Sequence, residues 1–157
     1  MNRAQRRKQN FGKQAKRNKK HKSFHASVPM LVNRVVNDNI EGKEELAMVN
    51  AFLFGTAQQS DYDYLVRMAN MLNIAAKYKG AENLKPTVDA INFLAALILE
   101  RYQRTGKFGV DSEERDALRS LVVFYDAFWK RQTTNLYNDC VAELNEFYDE
   151  IKERRAA

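Results

Sequence analysis

The sequence predicts an all-α fold, a four- or five-helix antiparallel bundle with a disordered basic N-terminal arm. Three observations lead there. Beyond position 27, apolar residues recur at i, i+3, i+4 and i+7 in segment after segment, the spacing that lines one face of a helix. The 157 residues include six Gly and two Pro, too few for a loop-rich β sandwich. The first 22 residues, MNRAQRRKQNFGKQAKRNKKHK, hold ten Lys or Arg and no Asp or Glu. Like charges repel along that stretch, and it has too little apolar surface to offset the entropy lost on ordering. The expected division is a flexible cationic arm over 1–26 and a helical bundle domain over 27–157.

The elements follow in order. Val28, Leu31, Val32, Val35 and Val36 fit a first helix capped by Ser27 with Pro29 in its first turn, although the β-branched valines favour an extended strap as the competitor. Asn37-Asp38-Asn39 and Gly42 break the chain. A second helix is expected from Lys43 to about Phe54, burying Leu46, Val49, Phe52 and Leu53 and ending at Gly55. Ser60 and Asp63 resemble a capping box that opens a third helix to about Tyr78, with Leu65, Met68, Leu72, Ala75 and Ala76 inward and Gly80 past its end. Pro86 suits the first turn of a fourth, which buries Val88, Ile91, Leu94, Ala95 and Ile98 and runs to about Gln103. The linker Thr105–Val110 contains two glycines, and Asp111 with Glu114 marks the next N-terminus. That helix repeats Leu118, Leu121, Val122, Tyr125, Phe128 and Trp129, which makes Trp129 a core residue rather than a stacking platform. Thr133 or Thr134 starts the last helix, which ends near Arg154. Its apolar stripe is Tyr137, Cys140, Val141, Leu144, Phe147, Tyr148 and Ile151, and Lys152, Arg154 and Arg155 sit where cations favour the negative terminus.

Charge is divided as sharply as structure. The formal net charge of +6 separates into +10 on the arm and −4 on the remainder, which holds 16 basic and 20 acidic residues. Arg3, Arg6, Arg7, Lys8, Lys13, Lys16, Arg17, Lys19, Lys20 and Lys22 are the candidate nucleic-acid-binding residues, because such cations neutralise phosphates and release counterions with little base selectivity. Fully extended, the arm could reach roughly 70 Å at about 3.3 Å per residue. A charged protein partner is the competing reading of the same pattern.

A second candidate surface lies on the last helix. Asp139, Glu143, Glu146, Glu150 and Glu153 recur at alternating steps of four and three, within about 80° of arc opposite the apolar stripe. The plain reading is a solvated face. The sharper one is a partner-binding ridge, centred on Asp139, Glu143, Glu146 and Glu150, for a basic partner or for the arm itself.

No catalytic, cofactor or metal site is predicted. The chain lacks the P-loop, dinucleotide, HExxH and GxSxG patterns. His21 and His25 could share one face of a helix, but no further ligand accompanies them and the surrounding cations repel a metal. Cys140 has no histidine nearby in sequence to activate it and reads as a small buried hydrophobe; a lone cysteine also fits a reducing compartment. The greasiest run, Ile91–Leu99, is half of the roughly 20 residues a bilayer span requires, and the basic start is not followed by an apolar segment of a secretory signal. No membrane partner is expected, and a cytoplasmic setting is.

The opening MNRAQRRK, the continuing GKQAKRNKKHK and the later RYQRTGKFGVD resemble small accessory proteins carried by bacterial prophages and plasmids. The resemblance covers the arm and one interhelical linker. It implies a mobile-element accessory protein in a bacterial host cytoplasm, in a group whose members often act by binding host or phage machinery, inhibitors of defence complexes included. The combined expectation is a non-enzymatic binding protein that contacts nucleic acid through the arm, leaving the bundle to supply a second, specific contact or a homodimer interface. The alternative is a phage-encoded inhibitor or adaptor that targets a host protein complex such as a defence nuclease.

Overall fold

The computed structural model describes residues 40, 42–79 and 83–157. Among them are five helices and no strand: α1 Lys43–Leu53, α2 Gln59–Lys79, α3 Lys85–Thr105, α4 Ser112–Lys130 and α5 Thr134–Ala156. The all-α bundle expected from the periodicity is the fold observed. The valine-rich segment at 28–36, the break at Asn37–Asn39 and the stop at Gly80 lie outside the described residues.

Each helix starts and stops for a local reason. The chain leaves α1 through Phe54 into Gly55, whose φ of +72° is open to glycine without strain. α2 begins at Gln59, ahead of the expected Ser60–Asp63 box. Asp61 rather than Asp63 does the capping, its Oδ2 accepting the Gln58 N–H at 2.8 Å, while the Gln58 carbonyl already accepts from Asp61 and Tyr62. Asp63 instead accepts a hydrogen bond from Gln59 Nε2 at 2.7 Å. Pro86 occupies the first turn of α3 as expected, and Gly106, at φ +73°, ends that helix two residues beyond Gln103. Thr105 holds this last turn by donating from its hydroxyl to the Arg101 carbonyl at 2.8 Å. α4 opens on the reciprocal capping box of Asp111 and Glu114, and Thr133 Oγ1 caps α5 by accepting from the Leu136 N–H.

Helix α2 is the centre of the bundle, packing on α1, α3 and α5, while α4 closes the other side against α1 and α3. Lys77 of α2 meets Glu143 of α5, and Asn70 meets Tyr148, so the two helices run antiparallel. Phe52, Leu65, Met68, Met71, Leu72, Ile91, Leu94, Ile98, Leu118, Leu121 and Leu144 are fully buried. Removing each such side chain from water contributes about 1.5–3 kcal/mol, which is what fixes the helices against one another.

Three expected core positions are not core. Leu46 is 43% exposed, because the buried face of α1 is centred on Met48, Val49 and Phe52 and Leu46 lies about 110° round the helix from it. On α5, Tyr137 and Phe147 are 40% and 50% exposed. That helix is peripheral, and Cys140 with Leu144 takes the buried centre of its stripe. Trp129 is half-buried against the core, edge-on to Tyr125, Phe128 and Tyr137 with ring centroids 5.0–6.1 Å away.

Candidate functional site

The ten arm cations, Arg3 to Lys22, and the pair His21 and His25 lie outside the described residues. What is described is where the chain enters the bundle. Ile40 packs against the core, and one turn into α1 Glu45 Oε1 accepts a hydrogen bond from Tyr64 Oη at 2.9 Å. The chain therefore reaches the bundle beside the N-terminal half of α2. Burial first, and the bond to Glu45 second, push the Tyr64 phenol well above its ordinary pKa of 10.

The predicted acidic ridge divides in two. Glu143 sits at the α2–α5 contact, paired with Lys77 and accepting from Tyr78 Oη at 3.3 Å. Its hydrogen bond from Lys77 holds the carboxyl below the usual carboxylate range. The apolar contact and the ridge therefore meet along one edge, and Glu143 belongs to the helix contact as much as to the outer face. Asp139, Glu146 and Glu150 are exposed, and Glu150 also lies 3.6 Å from Arg154. With Glu153, which is exposed as well, four carboxylates remain as an outward ridge.

A wedge opens between the N-terminal half of α2 and the C-terminal half of α5, with a volume of about 670 Å³. Tyr62, Tyr64, Val66 and Tyr148 supply its apolar and aromatic lining, and Ser60, Asp63 and Arg67 its polar groups. Its shape follows from α5. Tyr148 is anchored by the hydrogen bond its hydroxyl accepts from Asn70 Nδ2 at 3.2 Å, and beyond it Ile151 alone keeps partial cover among residues 149–157. The last turns of α5 thus leave the surface of α2 partly uncovered. Tyr62 reaches back to the α3–α4 corner, where Phe108 stacks on Tyr102 at 4.1 Å and on Tyr62 at 5.4 Å. That corner is held by Arg101, whose guanidinium donates to both oxygens of the buried Glu114 carboxylate and to the Gly109 carbonyl at 2.7 Å.

Arg67 has no carboxylate within ion-pair distance among the described residues. Asp63, four residues earlier on α2, has its hydrogen bond from Gln59 instead. Arg155 stands two turns beyond Tyr148 on the same face of α5 and also has no ion-pair partner among the described residues. A half-buried guanidinium beside three phenol rings suits a flat ligand that carries an anion.

Compared with protein-family models, curated proteins and solved structures, the chain has no match. Its own residues therefore carry the functional reading. Cys140 is fully buried, and burial pushes its thiol above the ordinary value, which keeps it in the unreactive protonated form. No cluster of His, Cys, Asp and Glu suited to a metal occurs among the described residues. No helix among them is long and apolar enough to cross a membrane.

The wedge is the part of the surface that sequence reading missed. Tyr62, Tyr64 and Arg67 fall off the apolar stripe of α2, and Tyr148 lies on the stripe of α5, so periodicity separates residues that packing brings together. The signal that was present is two tyrosines and an arginine within DYDYLVR, more aromatic surface than a solvated helix face needs.

Proposed function

We propose that this chain is a non-enzymatic binding protein whose N-terminal cations hold nucleic-acid phosphates and whose bundle provides a second contact. The observation that supports this most is the segregation of charge: +10 over the first 22 residues against −4 over the remaining 135. A concentrated cationic segment gains affinity for a polyanion through counterion release, without base selectivity. The resemblance of the arm and the 101–111 linker to prophage and plasmid proteins supports a mobile-element accessory protein acting in a bacterial cytoplasm.

Replacing all ten arm cations by Gln tests the proposal. Binding of a short labelled oligonucleotide at low salt should fall to the level of an uncharged control. Retained affinity would refute the role of the arm.

A second reading, an inhibitor or adaptor that captures a basic host protein, is favoured by the outward carboxylates Asp139, Glu146 and Glu150. Changing these three to Lys separates the two. Glu143 is left intact because its pairing with Lys77 helps to dock α5. Loss of partner capture with oligonucleotide binding unchanged or improved favours the adaptor.

A further inference from the structure

We infer that the wedge between α2 and α5 takes an unpaired nucleotide, so that the protein prefers single-stranded nucleic acid to duplex. The inference rests on the reading that the arm holds phosphates, and adds where and how a base is held. The volume of about 670 Å³ is within the range of small-ligand clefts. Three tyrosine rings line it, and one of them, Tyr62, already stacks on Phe108. Such rings accept any base by stacking, because every base has a π-face.

The polar groups fit the rest of a nucleotide. Arg67, in the lining, is a guanidinium without a carboxylate partner among the described residues, and a planar guanidinium pairs bidentately with a phosphate. Asp63 and Ser60 can accept hydrogen bonds from the amino or imino groups of a base edge. Asp63 also repels phosphate, which orients the ligand with its base towards Asp63 and its phosphate towards Arg67. Glu45, in the first turn of α1, holds Tyr64 at the rim of the wedge by accepting the hydrogen bond of its hydroxyl. Bases inside a duplex are stacked on one another and cannot enter.

The test uses the full chain. Fluorescence anisotropy would compare labelled oligo-dT, oligo-U and a duplex of equal length against the unmodified protein, Arg67→Gln and Tyr148→Leu. The unmodified protein is expected to bind one or both single strands about ten-fold more tightly than duplex. Preference for both assigns recognition to base and phosphate, and preference for oligo-U alone adds the 2′-hydroxyl. Each variant should lose this preference and keep the duplex affinity and its salt dependence. Because Tyr148→Leu can disturb α5, a second readout is photocrosslinking of a 5-iodouracil strand to the unmodified protein, with adducts expected on Tyr62, Tyr64 or Tyr148. Equal affinity for single strand and duplex, or adducts confined to the arm, would overturn the wedge and leave the arm's role standing. A folded Arg67→Gln variant that keeps the preference would overturn it too. Absence of binding to every probe would overturn both.

Discussion

Arg101 in the last turns of α3 and Glu114 in the first turn of α4 are joined by two charge-assisted hydrogen bonds, with the Glu114 side chain 4% exposed. The same carboxylate accepts the Asp111 N–H at 2.8 Å, completing the capping box of α4. One residue thus starts a helix and ties it to the one before. The linker they enclose places Phe108 against Tyr62, so the pair also sets one wall of the wedge.

Removing either partner should therefore be costly. Arg101→Met leaves a buried carboxylate without its cation, and the expected loss is about 3–5 kcal/mol. Glu114→Gln keeps the shape and part of the capping geometry and should cost less. Urea denaturation of both variants, with tryptophan fluorescence and circular dichroism as probes, checks the order.

Core and fringe of α1 and α2 should respond very differently to truncation. Leu72 is fully buried, and Leu72→Ala is expected to cost about 2–5 kcal/mol. Leu46→Ala, on the exposed side of α1, should change stability by about 0.5 kcal/mol or less. Thermal unfolding of the two variants side by side measures the difference.

The docking of α5 should depend on pH in a defined window. Glu143 has its carboxyl lowered from the ordinary 4.5 by the hydrogen bond from Lys77, so its contribution is present above that value and is lost as pH falls through the lowered one. Lys77 is raised above 10.5 by the same bond, so its contribution is complete below that value and is lost as pH rises through the raised one. The pair is exposed and its effect is small. Amide exchange in α5, slowest between about pH 5 and about pH 10 after correction for intrinsic rates, should lose its acid limb in Lys77→Met.

Alkaline stability should be governed by buried phenols. Burial pushes Tyr64 and Tyr125 above the ordinary value of 10, and the bond to Glu45 adds to the effect at Tyr64. In the unfolded chain these phenols ionise near 10 while the folded protein keeps their protons, so stability declines as pH rises past that point. Tyr64→Phe is expected to cost about 1 kcal/mol at neutral pH through the lost hydrogen bond. It should also shrink the alkaline decline, as followed by urea midpoints at rising pH.

Much of the bundle was legible because its signals are local. The capping box of Asp111 and Glu114, the first-turn Pro86 and the stripes around Leu72 and Leu121 each depend on residues within two or three turns. What could not be read depends on how helices lie across one another. Glu143 falls with the carboxylates by its spacing yet pairs with Lys77, 66 positions away. The wedge arises because α5 has little cover beyond Tyr148, which no periodicity records. Leu46 looked inward because i+3 spacing links it to Val49, whereas Met48 sets the direction of the buried face.

The most direct measurement is the salt dependence of oligonucleotide affinity for the full chain. If the arm's cations hold phosphates, six to ten contacts should weaken binding by about 10³–10⁵ between 50 and 200 mM salt, linearly on a logarithmic scale. An affinity that stays constant over that range would contradict the account.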